Sequence, residues 1–225
     1  MAEPSTFTRI NGQSKTEQAV QLLTEMITSG AVKSGKLLPS EHELCVRIGV
    51  SRSTLRMALR TLEAQGLVVT RHGVGAVVTD RTRETLTASI ELMLRRRGAA
   101  PRDVFEVRLM LECQAAALAA QRAQERHITA IRASIAKLAD GAVPISEHVA
   151  ADLAFHMAVA EASGNEVLVA LVHAVRQQLL EHIAATFARD ERVHVRIEAH
   201  TAILNGIETH DSVAAENAMR AHLEL

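Results

Sequence analysis

The feature that most limits how this chain can fold is a pair of short helical segments joined by a three-residue turn. Ser40 and Glu43 have the spacing of a capping box, so a helix is predicted over roughly residues 41–47, with Gly49 at its end. Ser51 is placed to cap a second helix, whose apolar residues follow at helical period. Two helices with this separation are typical of a helix-turn-helix.

The segments before and after this pair indicate a winged domain. Upstream, Ser14 and Glu17 form another capping box, and the helix that they begin should end near Gly30. Downstream, the β-branched runs 67–71 and 76–79 flank a turn that contains glycine, which predicts a β-hairpin. Three helices followed by a hairpin are the elements of a winged helix-turn-helix.

The rest of the chain has the apolar pattern of successive helices, with breaks at glycine, asparagine and aspartate positions. This pattern predicts an all-α bundle of about seven helices, over residues 84–97, 102–124, 127–139, 146–162, 165–189, 191–208 and 211–225. The predicted fold is therefore mostly α: a winged helix-turn-helix domain over residues 9–79, a charged linker over 80–83 and a helical domain over 84–225.

Charge is divided unevenly between these parts. Residues 9–80 hold nine Lys and Arg against six Asp and Glu, whereas residues 81–225 hold sixteen against nineteen, with nine of the eleven His. The first part alone therefore suits a polyanion.

No apolar run reaches the length of a membrane span, and the polar start of the chain lacks a signal core, so we expect a cytoplasmic protein with no membrane partner. Cys45 and Cys113 are expected to be unpaired buried thiols.

The first turn of the second helix in the helix-turn-helix carries groups that suit DNA. Ser51, Arg52, Ser53 and Thr54 open this helix, and Arg56 lies one turn after Arg52 on the same face. Hydroxyl and free amide groups at a helix start suit phosphate oxygens, and an arginine fork suits the edge of guanine. A solvated face is the alternative for this helix alone, but the surrounding helix-turn-helix and wing favour DNA binding.

Four residues of the helical domain have side chains suited to a metal. Asp152 and His156 lie four residues apart on one predicted helix, so they share a face, and His200 and His222 lie on later helices. Three imidazoles and a carboxylate suit a divalent ion. The pattern alone is weak, because nine histidines in this region also fit unrelated surface positions.

The N-terminal motifs resemble those of the GntR family of bacterial regulators over about 65 residues. They are Leu38-Pro39-Ser40-Glu41, Gly49-Val50-Ser51-Arg52-Ser53-Thr54-Leu55-Arg56, Ala58-Leu59, Leu62, Gly66-Leu67-Val68 and Gly73-Val74-Gly75. The resemblance implies that Arg52 and Arg56 contact the operator with support from Ser51, Ser53 and Thr54, and that His72 and Gly73 lie at a wing tip near the minor groove. His42 and Val74 stand where the family often has basic residues, so the operator should differ from the commonest family pattern.

The helical domain resembles the effector domain, called FCD, of the FadR-type branch of this family. The resemblance rests on residues 103–112, 152–156, 163–165 and 200–204. It implies a divalent metal held by Asp152, His156, His200 and His222, with zinc as the first choice and nickel or manganese as alternatives. It also implies a small organic acid as effector: Arg108 is expected to clamp the acid, and Asn165 to cap a helix first and to line the pocket second. A salt bridge to Glu112 or Glu106 is the alternative for Arg108.

These features predict a sequence-specific DNA-binding transcription regulator. The expected form is a homodimer on a pseudo-palindromic double-stranded operator, acting as a repressor that its effector relieves. The first alternative is a regulator whose metal is purely structural or is itself the signal. An enzyme is not expected, and a metallohydrolase is a remote alternative, because no carboxylate has the placement of the general base in a His-Glu-x-x-His motif.

Overall fold

The computed structural model describes residues 14–98, 100–140, 142–180, 183–185 and 193–224. Some predictions fall outside these ranges: the start of the first domain at residues 9–13, the predicted break at Gly141, parts of two predicted helices at residues 181–182, 186–189 and 191–192, and Leu225. The chain divides into two compact units, one that ends at Thr85 and one that begins at Leu86. None of the described helices is both long and apolar enough to cross a membrane.

The first unit has the predicted elements of a winged helix-turn-helix. They are helices α1 (Lys15–Thr28), α2 (Glu41–Ile48) and α3 (Arg52–Ala64), then strands β1 (Val68–Arg71) and β2 (Gly75–Val78). Both predicted capping boxes form, from Ser14 to Glu17 and from Ser40 to Glu43. Gly49 ends α2 with a φ of 73°, a left-handed conformation that glycine adopts without a Cβ clash.

The wing is more elaborate than a simple hairpin. Strands β1 and β2 pair antiparallel, and Leu37 adds an isolated bridge to Val77, which the sequence pattern did not indicate. Gly66 leads from α3 into β1 with a φ of 78°, and a Cβ atom there would lie 2.6 Å from the carbonyl oxygen of Arg81. One apolar core joins the helices to the wing: Ala19, Leu23, Leu38, Leu44, Leu55, Ala58, Leu59, Leu62, Val68, Ala76 and Val78.

The second unit is the predicted all-α bundle. Its helices with described bounds are α4 (Thr82–Arg97, which begins in the first unit), α5 (Pro101–Arg122), α6 (Glu125–Leu138), α7 (Ile145–Ala162), α8 (Glu166–Gln177), α9 (Val193–Glu208) and α10 (Ser212–Leu223), and residues 180 and 183–185 are also helical. Helix α4 starts inside the predicted linker. Helix α8 ends well before residue 189, because the amides of Gln178 and Leu179 bond to carbonyls only three residues earlier and tighten the last turn.

Helix α5 is central to this bundle, because it packs against α7, α8, α9 and α10. Ala116, Ala119 and Ala120 are fully buried on it, and their small side chains let neighbouring helices approach closely. Cys113 is also buried on α5, whereas Cys45 of α2 is only half-buried. The expectation of two buried thiols is therefore wrong for Cys45. Both cysteines are unpaired, as expected.

Candidate functional site

Three helices bring the four predicted metal ligands into one buried cluster. Asp152 and His156 lie one turn apart on α7, His200 lies on α9, and His222 lies on α10. The exposure of these four residues is between 0 and 5 %. One potential ligand atom from each lies within 4.8 Å of those of the others.

The distances within the cluster fit a single cation. The Nε2 atoms of His156 and His200 each lie 3.1 Å from Nε2 of His222. Oδ1 of Asp152 lies 3.5 Å from Nε2 of His200, and it has no hydrogen-bond partner within the described ranges. Two nitrogens bound to one ion at about 2.1 Å are separated by about 3.0–3.4 Å. The spacing and the unpartnered oxygen therefore fit a divalent metal at the centre.

The surroundings favour the protonation states that bind metal. Burial lowers the pKa of His156, His200 and His222, and for His200, which also lies beside His156, the pKa falls to about 3. Burial raises the pKa of Asp152, but the Coulombic attraction of the Arg176 guanidinium is the largest opposing effect, and the pKa lies well below its ordinary value. Neutral imidazoles and an ionised carboxylate are the metal-binding forms.

A buried ionic network adjoins the ligands. Glu112 on α5 contacts Nδ1 of His156, and it accepts hydrogen bonds from Nε of Arg108 at 2.6 Å and from Nη1 of Arg176 at 3.1 Å. Arg176, on α8, is fully buried and donates from Nη2 to Oδ2 of Asp152 at 2.5 Å. Burial raises the pKa of Glu112, but the contacts with His156, Arg176 and Arg108 outweigh it, so the carboxyl is ionised.

The two predicted ligand-binding residues lie in different settings. Arg108 belongs to the network, where it forms the salt bridge to Glu112 that was the alternative to an acid clamp. At 9 % exposure, Arg108 is also the most exposed member of the network. Asn165 caps α8, as expected, since its Oδ1 accepts from the amides of Val167 and Leu168. No described contact joins Asn165 to the metal cluster, so its pocket role stays a prediction.

Sequence reasoning missed Arg176 and considered Glu112 only as a partner of Arg108. A signal was present for Arg176: it lies on the apolar face of α8, four residues after Val172 and seven after Val169. A charged residue on a buried face must find a partner, so this position pointed to an ionic site.

The start of α3 presents the predicted DNA-binding groups at the surface. Oγ of Ser51 accepts a hydrogen bond from the amide of Thr54 at 3.1 Å, and it lies 2.9 Å from the hydroxyl of Ser53. Arg52 is exposed, and no ion pair to it is seen within the described ranges. The hydroxyls and Arg52 thus lie at the N-terminus of α3, where backbone amides without an intrahelical partner suit phosphate.

The remaining predicted DNA contacts are also exposed. Nε of Arg56 lies 3.1 Å from Oε2 of Glu41 at the start of α2, and both side chains are largely exposed. His72 and Gly73 occupy the turn between β1 and β2, where Gly73 has a φ of 73°. Because Nε of Arg56 faces Glu41, its terminal nitrogens are the atoms left for a base edge.

Both units match known protein families. Residues 15–78 match the model described as bacterial regulatory proteins, gntR family, and residues 103–225 match the FCD domain. The chain is 33 % identical over 207 residues to the HTH-type transcriptional regulator LutR of Bacillus subtilis (strain 168), covering 88 % of this chain and 93 % of LutR. It is 27 % identical to the Glc operon transcriptional activator of Escherichia coli (strain K12), covering 92 % and 85 %. The solved structure of Streptococcus agalactiae GntR aligns with a TM-score of 0.78 at 28 % identity, over 93 % of this chain and 97 % of that one.

Proposed function

Because this chain belongs to the GntR family of bacterial regulatory proteins and carries an FCD domain, we propose that it is a transcription regulator controlled by a small carboxylic acid. Its relatives are DNA-binding transcription regulators, and that much follows from the family. The observation that carries the rest is the buried cluster of three imidazoles and one carboxylate. An acid bound at this cluster would change the affinity for operator DNA.

The cluster would hold a divalent ion through His156, His200, His222 and Asp152. Three nitrogens and one oxygen suit zinc first, and they also suit nickel or manganese. When bound, the ion supplies a Lewis-acidic centre that attracts a carboxylate. Arg108 is the cation of the network with the greatest exposure, so it would approach the same acid from the more open side.

Charge balance supports an anionic effector. The buried network contains two guanidinium groups, of Arg108 and Arg176, and two carboxylates, of Glu112 and Asp152. With neutral imidazoles this set carries no net charge, so a divalent ion would leave two positive charges in the interior. Buried charge without compensation is costly, and a carboxylate would neutralise at least half of it.

On the DNA side, Arg52 and Arg56 would read base edges, while Ser51, Ser53 and Thr54 would bind phosphate near them. His72 and Gly73 would bring the wing to the minor groove. A homodimer in the cytoplasm would place two such helices on a pseudo-palindromic operator. We propose that the protein represses transcription and that the acid relieves this repression. One relative, the Glc operon transcriptional activator, is by its name an activator.

A second function, regulation with a structural or metal-sensing site, is favoured by one observation. The four buried residues would supply four protein ligands, the number that fills a structural zinc site and leaves no open position. The matched families are regulators and not enzymes, which leaves a metallohydrolase without support.

A thermal-shift panel of small carboxylic acids distinguishes these functions. Monocarboxylic, hydroxycarboxylic and dicarboxylic acids would be tested on zinc-loaded and on chelator-treated protein. We expect one class to raise the melting temperature only with metal present, and the same acid to change the affinity for an operator fragment. If chelation lowers the melting temperature and no acid adds to it, the site is structural or metal-sensing and the acid proposal is wrong.

A further inference from the structure

The most deeply buried charge in the described part of the second unit belongs to Arg176. Its side chain is fully buried and is the largest of the completely buried side chains. It connects three helices: its own α8, α7 through Asp152, and α5 through Glu112. Both carboxylates are themselves at most 2 % exposed, so none of these ion pairs is shared with solvent.

The first consequence of the position of Arg176 concerns Asp152. Nη2 of Arg176 donates a hydrogen bond to Oδ2 of Asp152 at 2.5 Å. Oδ1 of Asp152 faces the imidazoles and has no hydrogen-bond partner within the described residues. Oδ1 lies 3.5 Å from Nε2 of His200 and 3.9 Å from Nε2 of His156. The guanidinium therefore turns the carboxylate so that one oxygen only points to the centre of the cluster.

The second consequence concerns His156. Nη1 of Arg176 donates to Oε1 of Glu112 at 3.1 Å, and Oε2 of Glu112 contacts Nδ1 of His156. A carboxylate only accepts, so a hydrogen bond along this contact would place the proton of His156 on Nδ1. The lone pair of Nε2 is then directed toward His222, 3.1 Å away. A partner on the far nitrogen of a metal-bound histidine sets its tautomer and orientation.

We infer that Arg176 is the positioning residue of the metal centre, because one guanidinium orients Asp152 directly and His156 through Glu112. The inference rests on the proposed metal site and names the residue on which its geometry depends. A buried ion pair is often no more stabilising than apolar side chains of similar volume, so the network alone is weak evidence for a role in stability. Arg176 also differs from Arg108 in role, because both of its terminal nitrogens are already engaged by carboxylates.

The test compares Arg176→Lys with Arg132→Lys in the full chain. Lysine keeps the positive charge but cannot bridge two carboxylates with a planar fork. Arg132 is the matched control, because it joins α6 to Glu208 of α9 at 2.8 Å on the surface, away from the cluster. The readouts are zinc affinity by competition with a chelating dye, the visible absorption of the cobalt-substituted protein, and helicity by circular dichroism.

We expect Arg176→Lys to remain helical, to bind zinc about 10-fold to 100-fold more weakly, and to show an altered cobalt spectrum, while Arg132→Lys matches the unaltered protein in all three. A folded Arg176→Lys protein with unchanged affinity and spectrum would overturn the role of Arg176 alone. Failure of the unaltered protein to bind either metal would overturn the proposed metal site together with this inference.

A measurement on the unaltered protein keeps the inference testable if the variant does not fold. Nitrogen-15 NMR of the histidine side chains in the metal-free protein reports which nitrogen of His156 carries the proton. If Glu112 positions His156, the proton lies on Nδ1, beside the carboxylate. A proton on Nε2 of His156 would contradict the positioning role.

Discussion

Acidification should destabilise the metal-free helical unit between pH 6.5 and about 3. The folded state keeps His200 neutral, because burial and the neighbouring His156 lower its pKa from 6.5 to about 3. In the unfolded chain the same imidazole takes up a proton near its ordinary pKa. The unfolded state therefore binds more protons over this range, so the free energy of unfolding falls as pH falls. Stability from this group is fully present above pH 6.5, and its loss is complete near pH 3.

The magnitude follows from the size of the shift. One pKa unit corresponds to about 1.4 kcal/mol, so His200 alone should lower the free energy of unfolding by about 2 kcal/mol between pH 6.5 and about 5. His156 and His222 act in the same direction, since burial lowers their pKa values too. A loss of this size is a large part of the roughly 5–15 kcal/mol that stabilises an ordinary protein.

Urea unfolding in the presence of a chelator, followed by circular dichroism between about pH 7.5 and about 5, measures this effect. His200→Gln removes one buried imidazole and should flatten the dependence on pH. The matched control is His72→Gln, a change at an exposed position on the wing of the other unit, which should leave the dependence intact. An unfolding midpoint independent of pH in this range, or an unchanged slope in His200→Gln, would refute the reasoning.

Three further predictions concern other parts of the chain. Arg52→Ala should weaken operator binding by about 1–3 kcal/mol with less effect on random DNA, as measured by fluorescence anisotropy; an equal loss on both would assign Arg52 to phosphate instead. Glu41→Gln frees Arg56 from its ion pair and removes a negative charge near the DNA, so binding to random DNA should strengthen and the ratio of operator to random affinity should fall. An unchanged ratio would show that the ion pair does not orient Arg56. Gly206→Ala would place a Cβ atom 2.6 Å from the amide nitrogen of Ala215, so it should cost about 1–3 kcal/mol in urea unfolding despite its better helix propensity. A neutral result would mean that α9 and α10 separate easily.

The winged unit could be predicted almost entirely from the sequence, because local signals determine it. The capping boxes at Ser14 and Ser40, the left-handed Gly49 and the cap at Ser51 each act within a few residues of their position. The bridge at Leu37 could not be predicted, because it pairs an irregular segment with a strand about 40 residues further along the chain.

The cluster of Asp152, His156, His200 and His222 could be predicted only in part, because its members are brought together by packing and not by local signals. Helical periodicity places Asp152 and His156 on one face, but no local pattern selects His200 or His222 from nine histidines, and family resemblance supplied them. Arg176 was missed because its partners lie on other helices and are distant in sequence, 24 and 64 residues away. Side chains that meet only through packing leave weak periodic traces in a single sequence.

The cluster also links metal binding to the packing of three helices. With His156 protonated on Nδ1, its Nε2 lone pair would converge with Oδ1 of Asp152 and with the imidazoles of His200 and His222. The Nδ1 atoms of all three imidazoles are buried without hydrogen-bond partners among the described residues. Each such polar atom costs about 1–3 kcal/mol when it stays unsatisfied. A cation at the centre would remove the repulsion between the converging lone pairs, so part of the metal-binding free energy would become folding free energy of α7, α9 and α10. Under the proposed function, an acid bound to this ion would act on all three helices together and so would favour one arrangement of the bundle over another.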